Sequence, residues 1–327
     1  MRSLIDPLGR RITYARVSLT EQCNLRCGYC YDSAKGHPSG SDQLSLSDTV
    51  RLIRALAAVG ITKIRFTGGE PLVRPGIVDL IRHASRIKGI HTIALTTNGL
   101  VLEPMLPELV KAGLNRLNIS LDTLDRAVFK RITGVDGFDR VYSAIVSAEQ
   151  SGAFERVKVN TVIMRGSSDG EVRRFALWAL ARKVDLRFIE FMPAQGSKWG
   201  RALFVGEDEI KSRIGLDLIP QSMEGDDAGP ATSYSVTGAT GRISFISAVS
   251  QCFCGSCNRV RITSTGQLMG CLFLNNGSDL TELLADGAGT DEIARHIRTV
   301  VSSPGFRRMP RETHIRTFNP FMRRVGG

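Results

Sequence analysis

Six short apolar or β-branched stretches alternate with amphipathic helical ones between Tyr14 and Glu190, and this alternation constrains the fold most. The strand-like stretches are residues 14–20, 63–67, 92–97, 116–120, 157–164 and 186–190. Between the first two, Leu46, Val50, Ile53 and Ala57 recur on one helical face, with Ser45 and Ser47 as N-cap candidates and Gly60 as a stop. Further helices are read at 103–112, 138–151 and 170–181. Such an order builds parallel βαβ units with right-handed crossovers. Six units are too few to close an eightfold barrel. The expectation is an α/β chain with an incomplete (β/α)6 barrel over residues 1–200. The pattern breaks near Gly200, and residues 201–327 are read as a smaller α+β extension covering the barrel opening. That extension holds an Asp- and Gly-rich loop at 221–229, a hairpin within 234–249 and helices near 280–285 and 290–301.

Composition narrows the class. With 42% hydrophobic and 23% charged residues, a 327-residue chain can bury a large core without disulfides. Forty-three Lys and Arg against 32 Asp and Glu leave a net charge of +11, which calls for an anionic partner. The basic residues are scattered, with no run of five, which argues against a nucleic-acid tail. The first 25 residues lack a continuous apolar segment, and no 18-residue apolar run occurs, so neither a signal peptide nor a membrane span is expected. Clustered cysteines point to metal or redox chemistry in the reducing cytoplasm.

The clusters are specific. Cys23, Cys27 and Cys30 form a C-x3-C-x2-C run directly after the first strand. Soft thiolates select zinc, copper(I) or iron–sulfur clusters, and a cubane normally takes four. Three leave one iron open for catalysis. A zinc knuckle lacks a nearby fourth ligand, since the next cysteine is Cys252 and the only close histidine is His37. The second group, Cys254, Cys257 and Cys271, again offers three thiols. Adding Cys252 would give a closed four-thiolate zinc site, although one residue between Cys252 and Cys254 is a tighter gap than zinc usually accepts. Gly68 and Gly69 lack Cβ atoms and let backbone approach a ligand closely. Arg259 and Arg261 lie on one side of an extended segment, and Arg16, Lys63 and Arg65 repeat the idea on the first two strands. Barrel interiors are normally apolar, so inward cations want an anionic ligand such as a phosphate. His83, His91, His296 and His314 sit in ordinary contexts; Trp178 reads as core and Trp199 as surface packing.

The chain resembles the GTP 3′,8-cyclase (molybdenum cofactor biosynthesis protein A) branch of the radical S-adenosylmethionine (SAM) superfamily. The resemblance rests on both cysteine groups in this order, on 65–72 (RFTGGEPL), 120–124 (SLDTL), 129–134 (FKRITG), 157–160 (VKVN) and 187–190 (RFIE), and on the terminal Gly326-Gly327. It implies two [4Fe-4S] clusters, held by Cys23, Cys27 and Cys30 and by Cys254, Cys257 and Cys271. It implies that Gly68-Gly69-Glu70 meets the SAM amine, and that Tyr29, Gly69, Ser120 and Met192 line SAM. It puts GTP against Arg16, Arg65, Thr96, Lys158, Arg259 and Arg261, with Arg259, Arg261, Gly326 and Gly327 acting in catalysis. The implied reaction is that of a lyase: reductive SAM cleavage gives a 5′-deoxyadenosyl radical that takes hydrogen from C3′ of GTP, and C3′ then bonds to C8. The product, 3′,8-cyclo-7,8-dihydro-GTP, opens molybdenum cofactor biosynthesis. Expected partners are a flavodoxin- or reductase-type electron donor and, downstream, cyclic pyranopterin monophosphate synthase; neither membrane nor nucleic acid is expected, and a homodimer is left open. The sequence departs from the family at Tyr31–Lys35, at Cys252 and in the basic run before Gly326. Two other readings stay open on residues alone: a radical SAM peptide-modifying enzyme with an auxiliary cluster, and a zinc protein binding nucleic acid.

Overall fold

The computed structural model describes residues 3–30, 43–193, 200–222, 229–251, 253–272, 274 and 277–306. The six strands expected from the alternation form as β1 (Tyr14–Ser18), β2 (Lys63–Thr67), β3 (Thr92–Thr97), β4 (Arg116–Ser120), β5 (Val157–Ile163) and β6 (Val184–Glu190). The helices that return between them are α1 (Leu46–Ala58), α2 (Ile77–Ser85), α3 (Leu102–Lys111), α4 (Arg126–Thr133), α5 (Phe138–Gln150) and α6 (Val172–Leu180). Ser45 caps α1 by accepting the Asp48 N–H at 3.0 Å, and Gly60, at φ +99°, turns the chain after it.

Beyond residue 200 come α7 (Glu207–Ile214), β7 (Ile219–Gln221), β8 (Thr232–Ser235), β9 (Arg242–Ile246), β10 (Arg259–Ile262), β11 (Gln267–Met269), β12 (Gly277–Asp279), α8 (Thr281–Ala285) and α9 (Thr290–Ser302). These strands join the barrel sheet itself. Its order is β12-β11-β10-β1-β2-β3-β4-β5-β6-β9-β8-β7, open at both ends. β10 pairs parallel with β1, and β9 parallel with β6, so eight parallel strands stand in a row where sequence suggested six. Arg51 of α1 ties the last helices to the first by donating to the carbonyls of Leu284 and Ala288 at 2.8 and 2.7 Å.

The two faces of this sheet differ sharply. Ala15, Val17, Ile64, Phe66, Leu95, Leu117, Ile119, Val159, Leu186 and Phe188 are buried against the helices and form the core. Their neighbours in the strands point the other way, as period-2 geometry requires. Tyr14, Arg16, Lys63, Arg65, Thr96, Asn118, Lys158, Arg187, Arg259 and Arg261 all line one cavity. A cavity reached by side chains from β10 through β6 requires the sheet to curl around it. The concave face is polar and carries the cations.

Candidate active site

Of two cavities on the concave face, the first lies at the carboxyl ends of these strands, where ligands bind in parallel α/β sheets, and the second reaches along the strands to the opening residues of β1, β2 and β10. Cys23, Cys27 and Cys30 line the first, with Tyr29, Gly68, Gly69, Asn98, Ser120, Asp122, Phe191 and Met192. The cysteine loop is held by the end of α4: Arg26 N–H donates to the Thr133 carbonyl and Gly28 N–H to that of Ile132, at 2.8 and 3.1 Å. Tyr29 donates its hydroxyl to Asp122 at 2.7 Å, and the other Asp122 oxygen accepts the Val162 N–H. Burial lifts the Asp122 carboxyl to about 6 against both bonds.

The glycine turn after β2 packs directly on the backbone leading into the cysteines. Gly69 N–H donates to the Thr20 carbonyl at 2.7 Å and Glu70 N–H to that of Gln22 at 2.8 Å. A Cβ on Gly69 would run into the Gln22 and Glu21 carbonyl oxygens. Gly69→Ala should therefore cost about 1–3 kcal/mol, as overpacking does, read as a lower denaturation midpoint with weakened SAM binding. Glu70 itself is fully buried and faces away from the cavity. Its carboxylate accepts from Leu72 N–H, the Thr97 hydroxyl and Asn98 N–H at 2.9, 2.8 and 2.7 Å. The glycines of Gly68-Gly69-Glu70 thus face the ligand cavity while the glutamate fastens β2 to β3.

Burial raises the Glu70 pKa from 4.5 to about 7, against the bonds from Asn98, Leu72 and Thr97. Between those values the folded chain holds a proton the unfolded chain has lost, so Glu70 makes stability fall as pH rises through this window. Glu70→Gln should remove that slope, a difference on the order of 3 kcal/mol between about pH 4.5 and 7. Denaturant titrations of both proteins across the window read it directly.

The second cavity holds the cations. Seven Lys and Arg side chains line it (Arg16, Lys63, Arg65, Lys158, Arg187, Arg259 and Arg261), and no carboxylate does among the described lining residues. Register makes the crowding systematic. Arg261, Arg16 and Arg65 are cross-strand partners in one row, and Arg259, Tyr14 and Lys63 in the row beside it. Arg65 donates to the Tyr14 hydroxyl at 2.7 Å and to the Thr96 hydroxyl at 3.1 Å. Burial, then Arg261, depresses the Arg16 guanidinium well below its usual range. Burial and Arg259 bring Arg261 to about 10. Burial opposes ionisation of Tyr14, yet Arg65, Arg16, Arg259 and Lys63 outweigh it and bring the phenol to about 7. Asp185, two residues earlier on the same face of β6, pairs with Arg187 at 2.9 Å. Cys254, Cys257 and Cys271 stand along the same cavity, and Arg259 lies over the Phe253 ring.

Thr96, Asn160, Ile189 and Met192 line both cavities, so the two are contiguous. Of the residues singled out in the sequence, Cys23, Cys27, Cys30, Tyr29, Gly69, Ser120 and Met192 line the first cavity, and Arg16, Arg65, Thr96, Lys158, Arg259, Arg261, Cys254, Cys257 and Cys271 line the second. Arg187, Tyr14, Asn118 and Asn160 line the second cavity as well, beyond those residues. The alternation that singles out Arg16 and Arg65 applies to Asp185-Leu186-Arg187 and would have found Arg187. Gly326, Gly327, Cys252, Trp199, His37, His314 and the Tyr31–Lys35 run lie outside the described residues.

Comparison with known proteins agrees with this arrangement. A family model for the radical SAM superfamily matches residues 17–179, and one described as Molybdenum Cofactor Synthesis C matches 184–305. A GTP 3′,8-cyclase from Thermodesulfovibrio yellowstonii is 39% identical over 98% of this chain and 99% of its own length. The chain belongs to the GTP 3′,8-cyclase family of radical SAM enzymes. Another cyclase of that name, from Geobacter sulfurreducens, is 46% identical over 86% of both chains. Mouse molybdenum cofactor biosynthesis protein 1 is 42% identical over 91% of this chain, which spans 47% of that longer protein. Streptococcus suis SuiB, solved with its precursor peptide SuiA, shares the fold at 16% identity and a TM-score of 0.61, over 91% of this chain and 68% of SuiB.

Members of the superfamily carry SAM and a [4Fe-4S] cluster, and the first cavity fits both. Burial raises the Cys27 thiol well above its usual range, and Cys30, Asp122 and Cys23 add to the effect. Thiols that oppose one another's ionisation suit a cationic cluster, which accepts all three as thiolates. Among the described residues no three His, Cys, Asp or Glu side chains converge on a single-ion site. A cubane makes no such demand, because its thiolates bind separate irons. The described residues contain no helix long and apolar enough to cross a membrane.

Proposed function

We propose that this chain is a GTP 3′,8-cyclase, converting GTP to 3′,8-cyclo-7,8-dihydro-GTP with SAM as radical source, at the entry to molybdenum cofactor biosynthesis. The observation that carries the reading is the contact between the two cavities. A thiol- and glycine-lined cavity shares Thr96, Asn160, Ile189 and Met192 with one lined by seven cations. A carbon-centred radical made in the first needs a substrate hydrogen within reach in the second.

Cys23, Cys27 and Cys30 would hold the first cluster, which when bound supplies the electron for reductive cleavage of SAM. Gly69, Tyr29, Ser120 and Met192 would line SAM. The Arg261–Arg16–Arg65 row, with Lys63, Lys158 and Arg259, grips the triphosphate. Arginine forks bind phosphate oxygens bidentately, and a polyanion removes the repulsion among them. The buried Oδ1 atoms of Asn118 and Asn160 find no hydrogen-bond donor among the described residues, which suits them to substrate hydroxyls or amines. Ile189 and Met192 are apolar at the seam, which suits a site that must keep water from a radical. Cys254, Cys257 and Cys271 would hold a second [4Fe-4S] cluster on the substrate side, with Arg259 and Arg261 beside it as catalytic residues. A flavodoxin- or reductase-type donor and a downstream pyranopterin synthase complete the reading.

The test is iron and acid-labile sulfide content of anaerobically reconstituted protein, followed by incubation with SAM, reductant and GTP. About eight irons and eight sulfides per chain, as two cubanes contain, with 5′-deoxyadenosine and cyclised GTP formed together, support the proposal. About four irons with one zinc, or SAM cleavage without GTP turnover, would overturn it.

A further inference from the structure

Asn98 stands in the turn after β3, on the wall of the first cavity, and its hydrogen bonds leave its amide one orientation. Its Oδ1 accepts the Leu100 N–H at 3.0 Å. Its Nδ2 is thereby aimed the other way, donating to Asn24 Oδ1 at 2.7 Å and lying 3.7 Å from Cys23 Sγ. Its backbone N–H donates to Glu70 at 2.7 Å, and the same carboxylate takes the Thr97 hydroxyl. Gly99, at φ +81°, closes the turn under Ile119 and Val141, where a side chain would not fit. Cys23 also receives the Leu25 N–H at 3.5 Å. Among the described residues, the Leu25 backbone N–H and the Asn98 side-chain N–H both reach this sulfur. One belongs to the cysteine's own loop. The other comes from across the sheet and is fixed there by a buried carboxylate.

We infer that Asn98 is a positioning residue that sets the electron affinity of the first cluster through an N–H···S bond to Cys23, with Glu70 holding it in place. This rests on Cys23 being a cluster ligand. A donor on a ligating sulfur withdraws electron density, favours the reduced cluster and raises its potential. The bond runs to a turn rather than to the cysteine loop, so the cluster's driving force is coupled to the β2–β3 junction on which the glycine turn also depends.

The test is an EPR-monitored redox titration of the reconstituted protein without SAM, in Asn98→Ala and Asn98→Asp. Portions with SAM added identify the first cluster as the signal that responds. At the poise that half-reduces the unsubstituted protein, the ratio of reduced to oxidised first cluster should fall about tenfold in the alanine variant, the size of one hydrogen bond to a charged group. It should fall at least as far with aspartate, which replaces a donor by a negative charge. The SAM-indifferent signal should keep its potential. Unchanged ratios in both variants at full iron content would overturn the inference. Equal shifts of both signals, or loss of iron from both variants, would overturn it too, making Asn98 a purely architectural residue. Absence of any SAM-responsive signal in the unsubstituted protein would instead sink the radical SAM reading of the site.

Discussion

Serine in place of Cys23 should reduce SAM cleavage and GTP consumption to background together, whereas Cys271→Ser should leave SAM cleavage running and abolish only the cyclised product. The two cysteines sit on opposite sides of the seam formed by Thr96, Asn160, Ile189 and Met192. A hydroxyl is a poor ligand for iron beside a thiolate, so each substitution removes one site and leaves the other's lining intact. The readout is 5′-deoxyadenosine and cyclised nucleotide, measured by chromatography from one reaction. Loss of both activities in Cys271→Ser would mean that the second cysteine group is not a separate substrate site.

Arg261→Ala should move binding and stability in opposite directions. Arg261 is buried at 6% exposure beside Arg16, in a row of three guanidinium-bearing strands. Burial and like charge already depress both groups. Without ligand, removing one member relieves repulsion, and the denaturation midpoint of the apo chain should hold or rise. With GTP, a buried charge partner disappears, a loss of about 2–5 kcal/mol or roughly 30- to several-thousand-fold in affinity. Arg261→Lys keeps the charge without the fork and should fall between. Equilibrium binding of GTP and a thermal melt of the same samples decide it. A variant that loses stability while keeping its affinity would show that the row is structural.

Much of this was legible because strand period and chemistry coincide. Residues that alternate with Ala15, Val17, Ile64 and Phe66 must face the other way, and those residues are Arg16, Lys63 and Arg65. Where local signals were weak, so was the reading. Helix α2 follows Gly76, an N-cap in the left-handed region with no side-chain hydrogen bond, straight after Arg74-Pro75, and no capping signal announces its nine residues. The membership of β9 and β10 in the barrel sheet has no local signal at all. Their alternation predicts a hairpin and an extended segment, but their partners β6 and β1 lie far away in the chain. Glu70 reads as part of a ligand motif, and only its three-dimensional surroundings reveal a buried acceptor serving Leu72, Thr97 and Asn98.

The parallel pairing of Tyr14 with Arg259 bears on how the molecule is made. On the ribosome, the six N-terminal strands can assemble long before their neighbours exist. Until residues 242–262 emerge, β1 and β6 each present a bare hydrogen-bonding edge, the kind of surface that recruits other chains. Completing the row of parallel strands then depends on contacts of very long sequence separation, which form slowly. The half-made chain also lacks Arg259 and Arg261, so the cation-lined cavity cannot assemble before β10 has joined β1. The complete ring of cations therefore arrives late in the life of the nascent protein, together with cover for the bare edges of β1 and β6.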